Sequence, residues 1–146
     1  MKVIDMAVHP VATIASGTPI DCCAKKMRHD HVGSLVVVDA DNKPIGMLTD
    51  RDITLEVVAL DRDPKALTAD DIMATPVQIA HCTEGVVDAL ARMREQGIRR
   101  LPVVDENGIL CGIVTASNIV EEISVMLDSV VRSVKSSKTR ETALRP

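Results

Sequence analysis

The sequence predicts an α+β fold made of two tandem copies of one β-α-β-β-α unit. Two observations predict it. The chain repeats itself at an offset of 66 residues without a gap, and within each copy the apolar spacing passes from strand to helix and back in the same order. Gly46-Met47-Leu48-Thr49-Asp50-Arg51-Asp52-Ile53 returns as Gly112-Ile113-Val114-Thr115-Ala116-Ser117-Asn118-Ile119, and Val37-Val38-Asp39 returns as Val103-Val104-Asp105. A unit of about 60 residues buries only about 60% of the surface its unfolded chain exposes. Each copy would be marginal alone, so the two are expected to pack as one body.

The elements follow in order. A short helical lead-in at residues 3–7 and 69–73 reaches Pro10 or Pro76 and then a strand at residues 11–14 or 77–80. The next helix spans about residues 19–30 and 84–96. Its apolar positions Ile20, Cys23, Ala24 and Met27 recur as Val86, Ala89, Leu90 and Met93, one face at i, i+3, i+4, i+7. A β-branched strand at 35–38 and 101–104 is apolar on both faces, as a buried strand is. Asp41-Asn42 and Glu106-Asn107-Gly108 supply turn chemistry, and the hairpin returns at 45–48 and 109–114. The repeated octet then turns from strand into the last helix.

That last helix carries more than one apolar face. Leu55, Val58 and Ala59 in the first copy, and Val120, Leu127, Val131 and Val134 in the second, lie outside the main stripe. They either cover the other repeat's sheet or meet a second subunit, and a homodimer is the expectation. Residues 1–65 form the first unit, 66–128 the second, and 129–146 a helical extension whose basic end, SSKTRETALRP, is aperiodic and expected to fray.

Composition excludes several function classes. The chain has 146 residues, 46% of them hydrophobic and 26% charged, with a net charge of −4 and no Phe, Tyr or Trp. Without aromatic platforms or a basic footprint, nucleic acid is not an expected partner. No charge-free apolar run is long enough for a membrane span, and Asp5 and Pro10 interrupt any secretory core. Cys22, Cys23, Cys82 and Cys111 have no CxxC spacing, which fits a reducing cytoplasm. Neither His29-Asp30-His31 nor His81-Cys82 has zinc spacing. Cys23 and Cys111 align with Ala89 and Ile45 as packing residues, leaving Cys22 as the one candidate reactive thiol; no catalytic triad or phosphate loop stands beside it. An enzyme is not expected.

The octet has two readings. Thr49 and Asp52 have the spacing of a capping box, which satisfies orphan N–H groups at a helix start. The same geometry can seat phosphate at the helix N-terminus and offer Asp52 to the hydroxyls of a ribose. Arg99 and Arg100, where a helix ends and a strand begins, add forked donors suited to phosphate. The first copy has Gly33 and Ser34 there, so the cationic contribution is one-sided.

Strand, helix, RRLPVVDENG, GIVTASN and helix together resemble the CBS domain, and the tandem copies resemble a Bateman module over residues 3–128. VGSLVVVDADNKPIGMLTDRDI is similar to small stand-alone bacterial CBS-pair proteins. The resemblance implies two units about a pseudo-twofold axis, with clefts that take an adenine-containing ligand: AMP, ADP, ATP, NAD or S-adenosylmethionine. It assigns phosphate and ribose contacts to Thr49 and Asp52, to Thr115 and Asn118, and to Arg99 and Arg100. It assigns base contacts to Val11, Ala12, Thr13, Val32, Gly33 and Met47 in one copy and Val77, Gln78, Ile79, Ile98 and Ile113 in the other. Asn118 departs from the acid of the pattern, so one principal site built on Thr49 and Asp52 is expected, with a weaker or empty second. The implied function is a regulatory module that senses this ligand and acts on an unidentified protein; the alternative is a ligand-free structural or interaction module.

Overall fold

Each copy builds its own three-stranded sheet, and the computed structural model describes residues 1–145. In the first copy β1 (Thr13–Ala15) lies parallel to β2 (Ser34–Val38), with α1 (Ile20–Asp30) as the crossover. β2 then pairs antiparallel with β3 (Pro44–Thr49). The second copy repeats this with β4 (Ala80–His81), α4 (Val86–Gln96), β5 (Arg100–Val104) and β6 (Leu110–Thr115). Leu35 faces Leu48 across one hairpin and Leu101 faces Val114 across the other, and the register shifts at Val37/Val38 and again at Val103/Val104.

Local sequence explains these elements. α1 buries Ile20, Cys23 and Met27, and α4 buries Val86, Ala89 and Met93, so the repeated helical face is the core face in both. Both helices stop on a left-handed residue, His31 at φ 55° and Gly97 at φ 65°. The hairpin turns are shaped by one carboxylate each. Asp39 accepts from the N–H groups of Asp41 and Lys43 at 2.9 Å, and Asp105 accepts from those of Asn107 and Ile109 at 2.8 and 3.0 Å.

The lead-in segments cross over. Val3, Met6 and Ala7 belong to the core of the second copy, packed with Ala80, Ala89, Leu101 and Val114. Leu67, Ala69, α3 (Ala69–Ile72) and Met73 belong to the core of the first. Backbone pairing fixes the exchange at symmetric points. Val8 exchanges two hydrogen bonds with Ile113 at 2.8 and 3.1 Å, and Ala74 exchanges two with Met47 at 2.8 and 3.3 Å. Lys2 bridges Gly85 as Thr68 bridges Pro19. Each pair maps onto the other at the repeat offset, which makes the arrangement pseudo-twofold. The units of sequence and the units of packing are therefore not the same residues. Between the two sheets, Val36, Val38 and Leu110 form a third apolar cluster with Val11, Met47 and Ile113.

Three elements differ from the sequence reading. The first strands are shorter and later: Val77 and Gln78 line a cleft instead, and only Ala80 and His81 join β5. The last helix of the first copy is a short α2 (Asp50–Ile53) that loosens into a π-helical turn, Thr54–Val58, closed by the Ala59 N–H on the Thr54 carbonyl at 2.9 Å. Its counterpart α5 (Ala116–Leu144) runs 29 residues without a break. The basic end is helical up to Leu144, with i,i+4 ion pairs Arg132–Asp128 and Arg145–Glu141; Pro146 lies outside the described residues. Among the described residues no helix is long and apolar enough to cross a membrane.

The exchanged segments explain why the octet opens on glycine. A Cβ on Gly46 would strike the Met73 side chain, with Cγ at 2.8 Å, and the Ala74 carbonyl at 3.2 Å. One on Gly112 would meet Ala7 Cβ at 3.0 Å. Gly46→Ala is expected to cost about 1–3 kcal/mol in urea unfolding by overpacking. Adding Met73→Ala should restore part of that loss, whereas strictly additive losses would place the clash elsewhere.

Asp70 closes the same junction from the polar side. Its carboxylate accepts from the Ser16 hydroxyl at 2.5 Å and the Gly17 N–H at 2.8 Å. The Ser16 hydroxyl first, and then the Gly17 N–H, hold its carboxyl below the usual carboxylate range. A carboxyl depressed on folding contributes stability above its unfolded pKa, about 4, and that contribution is lost as pH falls through the folded value. Asp70→Asn should therefore lower stability at pH 7 and flatten the acid limb of a stability–pH curve measured by urea unfolding.

Candidate functional site

The reciprocal crossing leaves two clefts, each walled by both copies. The first, of about 280 Å³, is lined by Met47, Thr49 and Asp52 from the first copy. Ala74, Pro76, Val77, Gln78, Ile98, Arg99 and Arg100 complete it from the second. The other, of about 640 Å³, takes Ile113 and Thr115 from the second copy, and Val8, Pro10, Val11, Ala12, Thr13 and Val32 from the first. Lys26, Asp30, Ser34 and Arg100 close its polar side. Met47 and Ile113 thus sit opposite the base-contact candidates of the other copy, because Ala74 pairs with Met47 and Val8 with Ile113.

Three candidates do not line either cleft. Gly33 faces the Asp50 carboxylate, which a Cβ there would approach to 3.1 Å. Ile79 gives its carbonyl to the Arg92 guanidinium, which also pairs with Glu84. Asn118 is turned onto Thr115. Conversely, Ala74, Pro76, Val8, Pro10, Lys26, Asp30 and Ser34 were not among the candidates. The repeated prolines and the alignment of Ser34 with Arg100 were the available signals.

The octet's polar groups are not equivalent between the copies. Thr49 and Asp52 form a complete capping box: the Thr49 N–H donates to Asp52 Oδ2 at 2.9 Å, and the Asp52 N–H donates to Thr49 Oγ1 at 3.1 Å. Among the described residues Asp52 Oδ1 has no partner, and the Thr49 hydroxyl hydrogen is free to donate. In the second copy the Thr115 hydroxyl donates to Asn118 Oδ1 at 2.7 Å while accepting the Asn118 N–H at 3.1 Å. The Thr115 hydroxyl hydrogen is therefore not free to donate elsewhere, and the pair carries no charge.

At the helix N-terminus of the first copy, where the sequence suggests a phosphate seat, three N–H groups already have partners. The Asp50 N–H donates to the Gly33 carbonyl at 2.9 Å, that of Arg51 to Asp50 Oδ1 at 2.8 Å, and that of Asp52 to Thr49. Arg99 and Arg100 are the cationic side chains that line this cleft. Arg99 is exposed and has no ion-pair partner among the described residues. Arg100 is half-buried, donates to the Ser34 hydroxyl and borders both clefts.

The cysteines stand apart from this chemistry. Burial is the largest cause pushing the Cys23 thiol up to about 11, and burial also raises Cys111; Cys22 is exposed. His29 pairs with its neighbour Asp30 at 2.9 Å. No group of three or more His, Cys, Asp or Glu side chains among the described residues is placed to hold a metal ion.

Comparison with known proteins adds to this geometry. The family model described as CBS domain matches residues 3–59 and again 69–125. An uncharacterized protein of Methanopyrus kandleri is 36% identical over 125 residues, which are 84% of this chain and 64% of that one. Among solved structures, a CBS domain protein from Pyrobaculum aerophilum complexed with AMP superposes with a TM-score of 0.76 at 25% identity, covering 90% of this chain and 99% of that one. The CBS domain pair of protein MJ0100, in complex with 5′-methylthioadenosine and S-adenosyl-L-methionine, gives 0.73 at 30% identity, covering 86% and 98%.

Proposed function

Because the chain belongs to the CBS-domain family, as a tandem pair of CBS domains, we propose that it is a non-catalytic regulatory sensor of an adenine nucleotide or adenosyl ligand in the cytoplasm. The carrying observation is that one cleft brings the free oxygen of Asp52, the free hydroxyl hydrogen of Thr49 and the Arg99 guanidinium to a single aliphatic pocket. A volume of about 280 Å³ lies near the lower end for small-molecule sites. The AMP complex and the complex with methylthioadenosine and S-adenosylmethionine support the ligand class.

Each group has a role set by its chemistry. Asp52 Oδ1 accepts from the ribose diol, the Thr49 hydroxyl donates to the phosphate or to the sugar's 5′ side, and Arg99 with Arg100 neutralises phosphate. Without aromatic rings in the chain, Met47, Val77 and Ile98 hold the base by dispersion. The cleft around Thr115 and Asn118 offers no free carboxylate and is the weaker site. Because each wall comes from a different copy, occupancy changes the hold of one repeat on the other. A homodimer through the exposed helices carries that change to the regulated protein.

A thermal-shift panel of AMP, ADP, ATP, NAD and S-adenosylmethionine tests this reading. At a hundred times its Kd a ligand adds about 2.7 kcal/mol, which is about 5–10 °C for a chain this size. Asp52→Ala should weaken the responding ligand by about 10- to 100-fold, the worth of a charged hydrogen bond, and Asn118→Ala should leave it nearly unchanged. Arg99→Ala should weaken phosphate-bearing ligands more than adenosine itself. No shift with any ligand would leave the ligand-free interaction module, which the uncovered apolar helices favour.

A further inference from the structure

Ser34 and Arg100 hold the same position in the two copies, each opening the middle strand of its sheet, and the Arg100 guanidinium donates to the Ser34 hydroxyl. A residue that touches its own counterpart sits on the pseudo-twofold axis. Their cross-strand neighbours are the octet threonines, Thr49 beside Ser34 and Thr115 beside Arg100. The contact therefore lies between the two clefts, and Arg100 lines both. With arginine in both copies, two like charges would meet on the axis. With serine in one, a single charge stands there.

The other cations near the clefts are unequally placed. The first cleft also has Arg99, exposed and without an acid partner among the described residues. The second has Lys26, whose ammonium is 3.0 Å from Asp30 on the same wall. Arg92, the counterpart of Lys26, pairs with Glu84 and lines neither cleft. The Thr115 hydroxyl is spent on Asn118. Among the described residues Arg100 is thus the one cation of the second cleft that no acid neutralises, and a neutral hydroxyl is its partner.

We infer that Arg100 is a charge shared by the two clefts, so that a phosphate bound in one weakens phosphate binding in the other. A guanidinium neutralised from one side offers no net charge to the other, and two phosphates across it repel each other. The first cleft keeps Arg99 when Arg100 is engaged elsewhere, whereas the second keeps only the Lys26–Asp30 pair. Such coupling is reciprocal in free energy. It is confined to ligands that carry phosphate, since adenosine, with the same base and ribose, leaves Arg100 on Ser34. Sharing rests on the adenine-ligand reading above and adds how one cleft answers to the other.

The absence of aromatic residues makes a test simple, because one introduced tryptophan is the chain's only indole. Val8 and Ala74 are counterparts, both exposed, and each lines one cleft. Val8→Trp fluorescence reports the second cleft and Ala74→Trp the first, in the full-length chain titrated with AMP and with adenosine. Asp52 lines the first cleft alone, so Asp52→Ala weakens ligand there without touching the second. In the Val8→Trp chain, Asp52→Ala should tighten AMP in the second cleft by about 5- to 50-fold, within the range of site-to-site coupling, and should leave adenosine unchanged. Adding Arg100→Ala should abolish that gain. Where Asp52→Ala does not fold, Asp52→Asn keeps a cap of the Thr115–Asn118 kind. No tightening, equal tightening of adenosine, or a gain that survives Arg100→Ala would each overturn the inference. An AMP response at Ala74→Trp with none at Val8→Trp in either background would overturn it and leave the ligand reading standing. Silence of both tryptophans towards AMP and adenosine would remove the two together.

Discussion

Everything in this molecule depends on the exchange of lead-in segments between the two copies. Val3, Met6 and Ala7 complete the second core, while Leu67, Ala69 and Met73 complete the first. Each copy presents a β3 or β6 edge that would otherwise be open, and the other copy's backbone closes it through the Val8–Ile113 and Ala74–Met47 pairs. Sheet edges left unpaired are open to association, and small units bury too little apolar surface to fold alone. One crossing answers both problems, and the buried side chains it joins are all apolar. Gly46 and Gly112 follow from it, since the crossing segment needs the space that a Cβ would take.

The clefts are a second consequence. A segment that leaves one copy, pairs with the last strand of the other and then returns to its own sheet must pass between them. It lays Pro76, Val77 and Gln78 against Met47 and Thr49, and Pro10, Val11 and Ala12 against Ile113 and Thr115. The backbone makes two equivalent places, and side chains make them chemically different. In one, the cap bonds leave a carboxylate oxygen and a hydroxyl hydrogen over. In the other, the Thr115 hydroxyl is spent on Asn118 Oδ1 and no carboxylate is present.

Divergence between the copies is greatest where neither cleft nor core constrains it. α2 needs only to anchor Ile53 and Val57 against the first core, and it ends in a π-helical turn. α5 anchors Ile119 and then continues for 25 residues whose outward face is apolar at first and basic later. A helix of that length with an uncovered apolar stripe gains stability by burying it against something outside the body.

Much of this was legible in the sequence. The repeat, the helical faces ending in Met27 and Met93, the doubly apolar strands and the capping box at Thr49 and Asp52 all follow from local rules, because periodicity and caps depend on near neighbours. The pairing of Thr49 and Asp52 with Arg99, and the alignment of Ser34 with Arg100, were readable as asymmetries at one offset. Which copy each lead-in would complete was not, since an apolar segment such as Val3 to Ala7 fits either core by composition. Nor were the occupied N–H groups of Asp50 and Arg51, or the removal of Gly33, Ile79 and Asn118 from the clefts. Those outcomes hang on long-range hydrogen bonds and on the path of the backbone between sheets. The sequence by itself determined the units and the chemistry available to them. Only the tertiary structure decided which wall of each cleft came from which copy, because that depends on which core each lead-in joins and on the long-range Val8–Ile113 and Ala74–Met47 backbone pairs.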